Sequence, residues 1–231
     1  MVCINGLLTN ASKATYIHIP ENSRLISRHT TRQYPYSNAV IFLDRDGVII
    51  EDVNFLRTPQ QIRLLRGACQ ALRVLQNWFY LIIVTNQSGI ARGILSEQDL
   101  LEIHSELVKL LASEQIILDA IYYCPHLPDG SVPDYSTVCN CRKPLPGMLL
   151  QASNDWGIDI AGSFIIGDSL RDLQAGKSIG VPGILIGDCK TKTIKDDSPK
   201  ASNLLDAVDY IMNYAKIYYR TGKDIKEYNH E

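Results

Sequence analysis

The stretch AVIFLDRDGV, residues 39–48, reads as a buried strand that runs straight into a pair of aspartates. Five apolar residues in succession have the length of a strand covered on both faces. Asp44 and Asp46 stand at alternate positions, so extended backbone turns both side chains toward the same crevice. Gly47 lets the chain turn sharply straight afterwards. Working outward, the same kind of apolar run recurs at 79–85 (FYLIIVT), 119–124 (DAIYYC), 163–168 (SFIIGD) and 182–187 (PGILIG). Between them lie stretches with helical spacing at 67–77, 96–114, 146–156, 171–179 and 203–215. Ser96 with Asp99 forms a capping pair for the second helix, and Pro146 stands in the first turn of the third. Strands alternating with helices predict an α/β fold: a Rossmann-like, doubly wound parallel sheet covered on both faces.

Composition narrows the function classes. The 231 residues carry a formal net charge of −2 and are 45% hydrophobic, enough for one sizeable core. Near-neutral charge gives no basic footprint for nucleic acid. No apolar run approaches the roughly 20 residues of a membrane helix, and the first residues lack the pattern of a signal peptide. A cytoplasmic protein with no nucleic-acid or membrane partner is expected, and a monomer is the default. Residues 1–38 are polar and without clear periodicity and read as an N-terminal extension, mobile or loosely packed. Residues 39–215 form the one domain, and 216–231 a polar tail expected to fray. The Lys- and Asp-rich run at 190–197 reads as a solvated loop.

In open α/β sheets, ligands bind beyond the carboxyl ends of the strands, and each strand end here carries chemistry. Asp44 can attack phosphorus as a covalent nucleophile. Asp46 can protonate the leaving oxygen and then activate water. Thr85, in TNQSG (85–89), can donate its hydroxyl to a phosphoryl oxygen, with exposed amides around Asn86 as further donors. Lys143 can neutralise charge on a transferring phosphoryl group, and Arg142 can grip a second oxyanion as a fork. Asp168, in GDSLRD (167–172), is placed to hold Mg²⁺ with Asp44 and the carbonyl of Asp46, and Asp172 supports from the next turn. Taken singly, each is also explained as a polar turn, a helix cap or a solvated basic pair. Their arrival at one sheet edge as a complete set favours phosphoryl transfer on a small phosphorylated metabolite.

Cys124, His126, Cys139 and Cys141 form C-x-H-x12-C-x-C within a long stretch that has no element of its own. Three thiolates and an imidazole make a closed tetrahedral set for structural Zn²⁺. Loops of such length are uncommon in compact domains unless functional or anchored. A zinc ion here would hold Arg142 and Lys143 at the site. A chance grouping of buried thiols is the competing explanation. Cys69 reads as core, His104 as surface or packing, and Tyr122 and Tyr123 as sheet packing.

The runs FLDRDGVI, TNQSGIARG, CPH, CNCRKPLPGM and GDSLRD resemble the haloacid dehalogenase (HAD) superfamily of phosphatases. Within it they are most similar to the subgroup of D-glycero-D-manno-heptose 1,7-bisphosphate phosphatases and histidinol-phosphate phosphatases. The likeness spans about 39–215. It implies Asp44 as nucleophile, Asp46 as proton donor, and Thr85 and Lys143 as phosphoryl-stabilising groups. It implies substrate contacts from Asp52, Val53, Asn54, Phe55, Asn86, Gln87, Ser88 and Arg142. Mg²⁺ at Asp44, Asp46 and Asp168, and Zn²⁺ at Cys124, His126, Cys139 and Cys141, follow as expectations. Val48 stands where threonine is common, Leu127 where a second histidine often follows, and DVNFLRTPQQIRLL keeps only the outline of the family's substrate loop. The insert after the first strand is too short for a large cap domain. The expected activity is hydrolysis of a sugar phosphate, the 7-phosphate of heptose 1,7-bisphosphate first. Histidinol phosphate is the rival substrate, and a non-catalytic zinc-loop interaction protein the rival class.

Overall fold

Strand β2 (Val40–Leu43), the quoted run, lies at the centre of the sheet. The computed structural model describes residues 15–18, 38–187 and 197–221. In chain order the remaining elements are β1 (Thr15–His18), α1 (Ala68–Leu75), β3 (Tyr80–Asn86), α2 (Glu97–Ser113), β4 (Ala120–Cys124), α3 (Gly147–Trp156), β5 (Phe164–Gly167), α4 (Leu170–Lys177), β6 (Gly183–Ile186), β7 (Lys200–Ala201) and α5 (Leu204–Thr221). The sheet order is β1-β4-β3-β2-β5-β6-β7.

Side-chain alternation along the strands builds two cores. Ile41 and Leu43 of β2, with Leu81 and Ile83 of β3, enter the core that Leu72, Leu107 and Ile211 cover from α1, α2 and α5. Val40 and Phe42, with Ile82 and Val84, enter the opposite core under Met148 of α3 and Ala175 of α4. Burial on both faces explains why these strands are continuously apolar. The expected doubly wound α/β architecture is what the chain adopts, and no large cap interrupts the segment between β2 and α1.

Two strands go beyond the five expected. β7 is two residues long and pairs in parallel with β6, too short to leave a pattern. β1 pairs antiparallel with β4, Thr15 opposite Tyr123 through His18 opposite Ala120. The sheet is therefore six parallel strands with one antiparallel edge, an arrangement common in doubly wound folds. β1 comes from the segment read as a mobile or loosely packed extension; the rest of 1–37 lies outside the described residues, as do 188–196 with most of the charged run. α5 continues to Thr221, six residues past the end that periodicity set. The predicted cap of α2 forms: Asp99 N donates to Ser96 Oγ at 3.1 Å and Ser96 N to Asp99 Oδ2 at 2.8 Å. Among the described residues, no helix is long and apolar enough to cross a membrane.

From β2 the chain fills the sheet through β3 and β4 to one side. It then returns to place β5 against the other flank of β2. The order reverses between β2 and β5, and a crevice opens at such a switch point beyond the strand ends. Asp44 and Asp168 directly follow these two neighbouring strands. The Asp44 N–H still donates to Ile166 O at 2.9 Å, so its position is fixed by the ladder.

Candidate active site

A cleft of about 270 Å³ sits at the switch point, and Asp44, Asp46, Thr85, Arg142 and Asp168 all line it. Lys143 reaches its floor from below. The Lys143 ammonium lies 3.2 Å from Asp44 Oδ1 and 2.5 Å from Asp172 Oδ1, and donates to Val84 O at 2.6 Å. Lys143, Asp44 and Asp172 are all buried. Burial opposes the lysine's charge, yet the Asp44 and Asp172 carboxylates outweigh it and hold its pKa above the ordinary value. For Asp44, burial dominates. It is relieved in part by Lys143 but reinforced by Asp172, Asp46 and Asp168, and the carboxyl is pushed up to about 7. Asp168 also lies above its usual range, through burial first and Asp172 second.

Carboxylate oxygens of Asp44, Asp168 and Asp172 come within 4.8 Å of one another. The mutual repulsion of three carboxylates adds to the effect of burial in raising Asp44 and Asp168. The donor set is all oxygen, which suits a hard divalent cation such as Mg²⁺. Asp172 is already engaged by Lys143 and by the Ser169 N–H at 3.1 Å, which leaves Asp44 and Asp168 as the freer ligands. Gly47, at φ +74°, packs so closely on Asp168 that a Cβ there would collide with its carboxylate.

Asn86 and Gln87 lie in the cleft wall, but their amides serve protein partners. Asn86 accepts from Lys143 N and donates to Lys143 O, both at 3.0 Å, and so staples the lysine's backbone to the end of β3. Gln87 Nε2 donates to Asp46 Oδ2 at 3.0 Å and Thr85 Oγ1 at 2.9 Å. Asp52, Asn54, Phe55 and Ser88 also line the cleft; Val53 is exposed and does not. Asn54 and Phe55 hold left-handed backbone at φ +57° and +92°, costly for a bulky aromatic. The Arg92 guanidinium lies 5.9 Å from the centre of the Phe55 ring.

Arg92, in the turn after β3, and Arg171, in the first turn of α4, join Arg142 on the cleft and were not anticipated, since a single arginine carries no periodic signal. Arg45 was missed as well. Its signal was available: between two crevice-facing aspartates, the strand pattern turns it inward, where a charge needs partners. It is buried and forks onto Asp46, with Nη2 2.9 Å from Oδ2. His104, expected at the surface or in packing, is fully buried and meets Arg45 Nη1 at 3.1 Å. One polar residue on a helix's apolar stripe does not reveal such a contact.

Beside the cleft, Cys124, His126, Cys139 and Cys141 gather their ligand atoms within 4.8 Å. The sulfurs lie 3.2–3.6 Å apart, and His126 Nδ1 is 3.3 Å from Cys141 Sγ. A Zn–S bond of about 2.3 Å implies tetrahedron edges of about 3.8 Å, so the cage is of zinc size. A hydrogen bond with Cys124 and then burial push the Cys139 thiol up to about 12. At Cys124 the Cys139 hydrogen bond works downward, but Cys141 and burial bring it to about 12 as well. Soft, crowded thiols that resist ionisation by themselves fit a cation that ionises them. Arg142 Nη1 donates to His126 O at 3.3 Å, tying the cage to the cleft.

Comparisons with known proteins show the family. The HAD-hydrolase-like family model matches residues 140–209. The D-glycero-beta-D-manno-heptose-1,7-bisphosphate 7-phosphatase of Yersinia pestis is 40% identical over 175 residues, 75% of this chain and 89% of the relative. Its counterpart from Escherichia coli K12 is 41% identical over 174 residues, 75% of this chain and 87% of the relative. The D,D-heptose 1,7-bisphosphate phosphatase of B. bronchiseptica, solved with magnesium and phosphate, superposes with a TM-score of 0.66 at 34% identity. That match covers 76% of this chain and 98% of the other. The chain is a phosphatase and belongs to the heptose-1,7-bisphosphate phosphatase family of HAD-like hydrolases.

Proposed function

We propose that the chain hydrolyses the 7-phosphate of D-glycero-D-manno-heptose 1,7-bisphosphate through an aspartyl-phosphate on Asp44. The observation that carries this reading is the gathering of Asp44, Thr85 and Asp168 on one cleft at the switch point, with Lys143 paired to Asp44. Asp44 Oδ1 accepts from the Arg45 N–H at 2.8 Å and pairs with Lys143, which fixes the carboxylate for attack. In the first step a bond forms between an Asp44 oxygen and phosphorus, the bond to the sugar oxygen breaks, and Asp46 gives that oxygen its proton. In the second, water attacks the acyl phosphate, Asp46 takes the proton, and phosphate leaves with Asp44 restored. Lys143 and the Thr85 hydroxyl stabilise charge on the transferring oxygens, whose build-up is the main barrier. Asp44, Asp168 and the Asp46 carbonyl would hold Mg²⁺, which when bound neutralises phosphoryl charge. The Cys124, His126, Cys139 and Cys141 cage takes structural Zn²⁺, since four protein ligands leave no open position.

The choice of substrate rests on charge. Arg92, Arg142 and Arg171 around one cleft suit a second phosphate on the substrate. Histidinol phosphate would bring an ammonium group to those cations. A panel of phosphate esters, assayed with and without Mg²⁺, tests the assignment. The heptose bisphosphate is expected to turn over fastest and only with the metal. Faster turnover of histidinol phosphate would overturn it.

A further inference from the structure

The Arg45 guanidinium makes five polar contacts to three side chains. Nε and Nη2 reach Asp46 Oδ1 at 3.2 and 3.0 Å, and Nη2 also reaches Asp46 Oδ2 at 2.9 Å and Gln87 Oε1 at 3.1 Å. Nη1 lies 3.1 Å from His104 Nε2. A guanidinium has no acceptor, so Nε2 must be the accepting atom and the ring proton must sit on Nδ1. His104 Nδ1 is buried and has no hydrogen-bond partner among the described residues. Burial first, and then the Arg45 charge, hold the imidazole well below its ordinary pKa, so it is neutral. His104 stands on the stripe of α2 that buries Leu100, Leu107 and Leu111, and its ring packs edge-on against Tyr123 at 5.7 Å. Leucine would serve the packing there without a stranded N–H. The one thing histidine adds is an acceptor for Arg45.

We propose that His104 is a positioning residue of the phosphatase site. Its neutral Nε2 fixes the plane of the Arg45 guanidinium, and that fork aims the Asp46 carboxyl at the leaving oxygen. The inference rests on Asp46 being the proton donor. Without the acceptor, Nη1 must seek another partner and the fork turns. Asp46 then loses its aim while Asp44, Lys143 and Thr85 keep theirs. The loss falls on proton transfer, so it depends on the leaving group: a sugar alkoxide needs the proton, whereas a dinitrophenolate departs without one.

The test uses the full chain with Mg²⁺, a sugar phosphate, 2,4-dinitrophenyl phosphate, and the variants His104→Leu, His104→Gln, His104→Asn and Asp46→Asn. For His104→Leu, kcat on the sugar phosphate is expected to fall about tenfold or more, with KM within about twofold. First-turnover release of dinitrophenol is expected to stay within about threefold of wild type. His104→Gln, whose amide oxygen reaches the place of Nε2, restores most of kcat; the shorter His104→Asn does not. That Gln and Asn pair carries the test if the leucine variant does not fold. Equal losses on both esters, an unchanged kcat, or a glutamine as impaired as asparagine would each overturn the proposal. If Asp46→Asn spares the dinitrophenyl ester and the His104 variants do not, only the positioning role falls. If Asp46→Asn itself loses both esters equally, the proton-donor reading falls and takes this one with it.

Discussion

Lys143 sits between Asp44 and Asp172, and all three are buried. Replacing it by methionine keeps the volume but strands two buried carboxylates. Breaking a buried pair from one side costs about 3–5 kcal/mol, and losing a charge stabiliser costs about 10²–10³ in kcat. Lys143→Met is therefore expected to lower both quantities, which a urea titration and steady-state kinetics on the same preparation would show. Lys143→Arg is not a rescue, because the planar fork does not fit a point-charge pocket. At this scale the sequence was legible where a motif repeats a known chemistry: it singled out Asp44, Thr85, Lys143 and Asp168, which the fold brings close together. It was opaque where a side chain works through another. Gln87 and His104 contact Arg45 across separations of 42 and 59 residues, and nothing local marks such pairs.

Elements carry two further expectations. The Ser96 cap satisfies an N–H at the head of α2, and Ser96→Ala is expected to cost about 1 kcal/mol in chemical denaturation. Ser96 also holds the Asp99 carboxyl below its ordinary value through side-chain and backbone hydrogen bonds. The folded pKa is depressed, so this contribution is present above the unfolded value near 3.8 and is lost as pH falls through the folded one. The difference between wild type and Ser96→Ala should therefore shrink in strongly acidic solution. The loop from β4 to α3 has little regular structure beyond one 3-10 turn, at Pro133–Tyr135. With zinc worth about 10 kcal/mol or more in small peptides, Cys139→Ser should lose bound zinc, thermal stability and phosphatase activity together. Zinc content by elemental analysis, melting and kcat check this; a variant unchanged in all three would remove the zinc site.

For the molecule as a whole, the sheet order places carboxylates from β2 and from the segment after β5 around one point, and their mutual repulsion opposes folding. Magnesium bound at Asp44 and Asp168 should relieve it. At one hundred times its dissociation constant, a ligand specific to the folded state adds about 2.7 kcal/mol. In a chain of this size that corresponds to a rise of about 5–11 °C in melting temperature. Scanning calorimetry of metal-free protein with added Mg²⁺ should show the rise in wild type and lose it in Asp168→Asn. Among the described residues no large cap closes over the cleft, and Arg92, Arg142 and Arg171 line its walls.

The sequence by itself determined the alternation of strand and helix, because burial on both faces demands continuous apolar runs, and periodicity records burial. It also singled out candidate residues at the strand ends, because phosphoryl chemistry needs particular atoms that few other residues supply. Only the tertiary structure decided the strand order and the antiparallel edge of β1, since pairing is chosen by contacts distant along the chain. It alone decided that Asn86 and Gln87 spend their amides on Lys143, Asp46 and Thr85, and that a histidine on an apolar helix stripe meets an arginine beneath the site. Hydrogen bonds are satisfied by whichever partners packing brings near, and that proximity is a property of the folded chain.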